Sequence, residues 1–198
     1  MPFNLIKAIQ ERLGFPHLQK VNPNTQEIES GDISANGKLG QAAIPAVLIG
    51  LYKYIETDEG LKTFNESNGS GNWFEKIFDG TSALVIDKVA DYSNSPKGEV
   101  DKRVHDIADE AVKTVKEQIT SNKTATLLNV RDYMSSQRAD ILAHLPAALQ
   151  TGEILNDDTL DDRTNKMRGP VSSFMHGIEN IFSGPGNKNA EPDDNNAA

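Results

Sequence analysis

An all-α fold is what this sequence predicts, and three observations carry the prediction. Apolar residues recur every three or four positions through several windows, most clearly across 98–122. Aromatic residues make up only 6% of the chain, so Ala, Leu, Ile and Val must fill the interior. The usual strand signals are lacking. A bundle of about seven or eight short-to-medium helices over 1–183, followed by a disordered acidic tail over 184–198, is the expected architecture. The alternative is a smaller N-terminal and a C-terminal helical subdomain meeting near 94–98.

In helix one, Leu5, Ile6, Ile9 and Leu13 share a face, Asn4 can cap the start, and Gly14 with Pro16 can end it. The polar stretch 21–40, with Pro23 and three glycines, reads as a loop in which 25–30 allow one short turn. From Leu39 to about Ile55 the chain has no charged face until its end. It therefore reads as the most buried helix, with Pro45 in its first turn or at a kink.

Thr57 or Asp58 caps a short helix through Leu61 and Phe64, and the glycine-rich NESNGSGN breaks the chain after it. The segments WFEKIF and SALVIDKVADY follow. The second fits helix or strand by periodicity, and helix is preferred because other strand signals are lacking. The stripe Val100, Val104, Ile107, Ala108, Ala111, Val115 and Ile119 predicts about six turns of amphipathic helix. A helix carrying Leu127, Leu128, Val130 and Tyr133 is expected next. Ser135 or Ser136 then caps a separate one with Ile141, Leu142 and Leu145, and a last helical piece spans 171–182.

The 20 Lys and Arg against 29 Asp and Glu give a net charge of −9, which opposes binding to nucleic acid or to an anionic lipid surface. Basic residues are scattered, so no nucleic-acid partner is expected. The absence of cysteine removes thiol chemistry and Cys-ligated zinc, and it fits a reducing compartment. The N-terminus lacks a signal-peptide pattern, and the longest apolar run, 42–52, falls short of the ~20 residues that cross a bilayer. A cytoplasmic location without a transmembrane segment is the expectation.

Asp157, Asp158, Asp161 and Asp162 form an acidic knot. They lack the alternating oxygens, central glycine and closing Glu of a calcium loop. They suit the start of a helix, with Arg163, Lys166 and Arg168 toward its other end. Asp101, His105 and Asp109, at i, i+4 and i+8, are the best catalytic or metal-binding constellation. They are also ordinary neighbours on a polar helix edge, and no nucleophile or further ligand accompanies them.

No zinc-protease, nucleophile-elbow, dinucleotide or phosphate-loop motif occurs, so no cofactor is expected. Trp73, Phe74 and Phe78 form an aromatic knot beside a glycine-rich loop. They are candidates for an exposed partner anchor, with sealing of the core as the preferred reading.

The segment ILAHLPAALQTGEI, 141–154, resembles the late part of the YidB-like family of small bacterial all-helical proteins. Leu142, Ala143, Leu145, Pro146, Leu149 and Gly152 stand in comparable order, with a spacer one residue shorter before the proline. LGQAAIPAVLIGL, 39–51, is similar to a helix in related bacterial families of unknown function. The resemblance implies an all-helical fold and transfers no catalytic residue.

A non-enzymatic interaction or assembly protein, with a protein partner or self-assembly, is the expected function. One alternative is a metal-dependent or hydrolytic enzyme using Asp101, His105 and Asp109. The other is a peripheral lipid-interface protein using Phe3, Leu5, Ile6 and Ile9 of helix one, although a membrane surface is the less expected partner.

Overall fold

A computed structural model describes residues 3–22, 24–25, 27–29, 33–69, 71–121 and 130–155. The described residues are all-helical: α1 (Leu5–Leu13), α2 (Ala35–Glu56), α3 (Asp58–Glu66), α4 (Trp73–Ile77), α5 (Ser82–Ser93), α6 (Lys97–Ser121), α7 (Val130–Ala143), a 3-10 turn (Ala147–Leu149) and α8 (Thr151–Leu155). The acidic knot, the 171–182 piece and the 184–198 tail lie outside the described residues, as do Leu127 and Leu128.

The axis of the fold is α2, against which α1, α3, α4, α5, α6, α7 and α8 all pack. Every residue from Leu39 to Leu51 is buried, as its lack of a charged face requires. The helix begins at Ala35, earlier than expected, because the Ser34 hydroxyl accepts the Gly37 N–H at 3.2 Å. Pro45 consequently sits in the helix interior and not in its first turn, and it offers no N–H to the Gln41 carbonyl.

Helix α1 starts and stops where its sequence says. The Asn4 side chain accepts the Lys7 N–H, and Gly14 adopts φ 71°, a left-handed conformation that closes the helix. Leu5, Ile6 and Ile9 are buried. Arg12 binds the helix to α6, donating to Glu110 at 2.8 Å, Thr114 at 3.0 Å and Glu117 at 2.8 Å. Its guanidinium pKa is raised, first by the hydrogen bonds to Glu110 and Glu117. Helix one therefore packs on its own chain.

The extended stretch after Gly14 has no helix or sheet to satisfy its backbone, and two buried glutamines supply the partners. Gln10 accepts the Leu18 N–H at 3.2 Å, and its Nε2 lies 2.6 Å from His17 Nδ1. Gln41, 2% exposed, accepts the Gln19 N–H at 2.8 Å and donates to the Gln19 and His144 carbonyls at 2.9 and 2.7 Å. Beside it the Val21 N–H donates to the Ala143 carbonyl at 2.8 Å. The stretch is thus stitched between α1, α2 and the end of α7.

The long stripe of α6 is realised: Val100, Val104, Ile107, Ala108, Ala111 and Val115 are buried, and Ile119 is half-buried at the edge of the core. The expectation that Ser135 or Ser136 starts a new helix is corrected. α7 runs unbroken through both, because exposed Ser136 turns its hydroxyl back to donate to the Tyr133 carbonyl at 2.6 Å. Leu145 falls beyond α7, buried in the turn that precedes Pro146.

Two cations close the C-termini of helices that are distant in sequence, where free carbonyls favour positive charge. Arg131 of α7 donates to the Ile55 and Glu56 carbonyls at 3.1 and 2.9 Å and to Asp58 at 2.8 Å. Lys116 of α6 donates to the Phe64 and Ser67 carbonyls at 2.5 and 2.9 Å and lies over the Phe64 ring. Burial lowers the Lys116 pKa.

The Tyr133 hydroxyl is buried without a hydrogen-bond partner among the described residues. Burial pushes its phenol up to about 12, and Tyr92 is likewise raised to about 12, first by burial and then by Glu27. The folded state therefore holds these protons more firmly than the unfolded chain, whose tyrosines titrate near 10. Their contribution to stability is complete below about pH 10 and disappears as pH rises from there through about 12. In Tyr133→Phe the loss of stability over this window should become shallower in urea titrations. Stability at neutral pH should also rise by up to about 1 kcal/mol, because an unpaired buried hydroxyl is removed. A decrease at neutral pH would show that the hydroxyl has a partner.

Candidate functional site

The flank Asp101, His105, Asp109 does not converge on one point. His105 Nδ1 lies 2.7 Å from the Asp101 backbone carbonyl, so that nitrogen carries the proton and donates it within the helix. The Asp101 carboxylate stays 3.6 Å from the same nitrogen, and Nε2 is 3.6 Å from Glu75 of α4. The Phe74 ring packs on the imidazole with centroids 4.9 Å apart.

Asp109 is turned to another task. It accepts the Trp73 N–H at 3.3 Å, satisfying the start of α4, where Asn72 makes no side-chain cap. Among the described residues no group of three or more His, Cys, Asp or Glu is placed to hold a metal ion. Glu75 escaped the sequence reading because it lies a helix away, and only the packing of α4 on α6 brings it to His105.

Trp73, Phe74 and Phe78 are 0%, 0% and 1% exposed, so the exposed-anchor reading is corrected in favour of a sealed core. Trp73 packs edge-on to Tyr54 and tilted against Phe64, with ring centroids 6.4 and 6.1 Å apart. Phe78 abuts Gly50 so closely that a Cβ there would strike its ring. The small residue in α2 therefore serves helix packing inside this chain. The residues of the lipid-interface alternative, Leu5, Ile6 and Ile9, are likewise consumed by the core, and Phe3 is half-buried against it. No helix among the described residues is long and apolar enough to cross a membrane.

What the aromatic knot does shape is a groove. The C-terminal half of α2, the α2–α3 turn, α4 and α8 enclose an open cleft of about 780 Å³, within the range of ligand-binding clefts. Tyr54, Ile77, Ile154 and Leu155 supply its apolar part, and Thr57 and Thr81 its neutral polar part. Lys53, Lys76, Glu59, Glu75 and Asp79 give it charges of both signs. Lys76 is held over the Trp73 ring, 4.6 Å from its centroid, and Lys53 pairs with Glu56 at 3.2 Å. The groove combines apolar surface with a charged border.

This groove was not legible in the sequence. Its lining comes from four separated elements, and its one advance signal was the cluster of large side chains around Trp73 that props α4 against α2. No family model matches the chain, and no curated protein or solved structure matches it either.

Proposed function

We propose that this chain works without chemistry of its own, as an interaction or assembly protein in a bacterial cytoplasm, and that it engages a protein partner through the groove between α2, α4 and α8. The groove carries the reading. It sets half-buried Tyr54 and Leu155, and the edges of buried Ile77 and Ile154, among charges of both signs around one open cleft. The polar groups that would serve an enzyme have structural duties: Asp109 caps α4, His105 bonds its own helix, and Lys116 closes α3.

Two groove variants test this. Glu59→Arg and Asp79→Arg reverse charge and add bulk at the groove from exposed positions, without touching the buried knot. Both should keep the thermal midpoint of the parent while losing the protein retained in a pull-down from the native cell, or the self-association seen by light scattering. A monomer that retains nothing, or a partner retained equally by both variants, would overturn the reading.

A further inference from the structure

Asn–Gly pairs stand at two places in the sequence, 36–37 and 68–69. Glycine after asparagine invites a spontaneous reaction: with no Cβ on the second residue, its amide nitrogen can fold back onto the asparagine carboxamide. The sequence treats the two pairs alike, and the fold does not.

Asn36 and Gly37 lie in the first turn of α2. Gly37 is buried, its N–H donates to the Ser34 hydroxyl at 3.2 Å, and the Asn36 side chain accepts from Arg103 at 3.3 Å. A Cβ at Gly37 would strike Ile33, so the turn is packed as well as capped. To face the Asn36 carboxamide carbon, the Gly37 nitrogen would have to leave its cap and the chain its helical ψ. Asn68 and Gly69 lie between α3 and α4, outside any helix. Asn68 is exposed, Gly69 has φ 88°, which favours glycine, and its N–H reaches the Ser67 hydroxyl only at 3.4 Å.

We infer that Asn68 is a site of spontaneous deamidation in the folded protein, and that its helix shields Asn36 from the same reaction. Solvent hydroxide takes the Gly69 amide proton, and the nitrogen attacks Asn68 Cγ. The new N–Cγ bond closes a succinimide ring, and the carboxamide nitrogen leaves as ammonia, protonated by water. Water then opens the ring at either carbonyl. One opening leaves an aspartate, and the other an isoaspartate whose main chain runs through the former side chain.

The product carboxylate forms where cations are at hand, since Asn68 lines an open cleft together with Lys113, Lys116 and Glu117. It adds one negative charge to a chain of net charge −9. The folded molecule thus acquires a mark of its age that leaves the core alone.

Full-length protein incubated at mildly alkaline pH and sampled over weeks tests this by peptide mapping with tandem mass spectrometry. Acid at position 68 should accumulate roughly tenfold faster than at position 36, where the capped turn must first open. A later-eluting species on anion exchange should grow in step. Asn68→Gln should abolish that species, because a glutamine must close a larger ring. Asn68→Asp should coelute with it and keep the parent's thermal midpoint. In urea the two positions should convert at like rates. Equal rates at 36 and 68 in the folded protein would overturn the inference, as would conversion at 68 no faster than at Asn65 within α3. A difference that persists in urea would place the selectivity in the local sequence and overturn the shielding by α2.

Discussion

Gly60→Ala is expected to destabilise the protein, against the usual benefit of replacing glycine in a helix. Intrinsic propensity favours alanine by about 1 kcal/mol. Gly60 lies in the first turn of α3, where its N–H donates to the Thr57 hydroxyl at 3.0 Å. A Cβ there would collide with the Tyr54 backbone carbonyl oxygen. That carbonyl cannot retreat cheaply, because it accepts the Thr57 hydroxyl at 2.7 Å and the Thr57 N–H at 3.2 Å.

Overpacking against fixed backbone costs typically 1–3 kcal/mol and here also strains the cap, so a net loss of about 2 kcal/mol is expected. For a chain of this size the melting temperature should fall by about 4–8 °C. Gly98→Ala is the internal control. It lies near the start of α6 with nothing within 4 Å of a Cβ, and it should stabilise by roughly 0.5–1 kcal/mol. Calorimetry of the two variants gives opposite signs if close approach governs Gly60, and like signs if propensity does.

Gln41→Leu is the second large effect. The substitution fits the volume of an otherwise apolar helix, so a purely hydrophobic account predicts a gain. It removes three hydrogen bonds at once, however, and leaves the buried His144 carbonyl without its donor. Leaving a buried polar group unpaired costs about 1–3 kcal/mol, so a loss near 3 kcal/mol is expected after part of the Gln19 backbone finds water. Because the damage falls on the strap beyond Gly14, tryptic cleavage after exposed Lys20 should accelerate more than cleavage elsewhere. Uniform acceleration would mean that Gln41 supports the core generally and not the strap.

These two sites mark where sequence legibility ends. The stripe of α6, the cap and stop of α1 at Asn4 and Gly14, and the burial of α2 from Leu39 to Leu51 were readable because each depends on neighbours within one or two turns. The break expected at Ser135 and Ser136 failed for a local reason: a serine that bonds a carbonyl one turn back behaves as a tolerated interior residue instead of a cap. Gln10 and Gln41 stood in apolar runs as unremarked polar residues, since their partners lie in a segment with no regular structure. Asp109 illustrates the same limit at the candidate site. Its neighbour one turn back, His105, was visible, but its actual partner, the Trp73 N–H, belongs to a helix thirty-six residues earlier.

The stitching of Gln41 to His144 has a consequence during synthesis. α2 is the first long helix to emerge, yet the side that packs on α7 stays open until α7 is made, and the Gln41 carboxamide waits for a carbonyl 103 residues downstream. At translation rates of 5–20 residues per second the nascent chain carries that unclosed apolar flank for roughly 5–20 s. The finished fold closes this side of α2, but the growing chain cannot do so until α7 and the turn after it have been made.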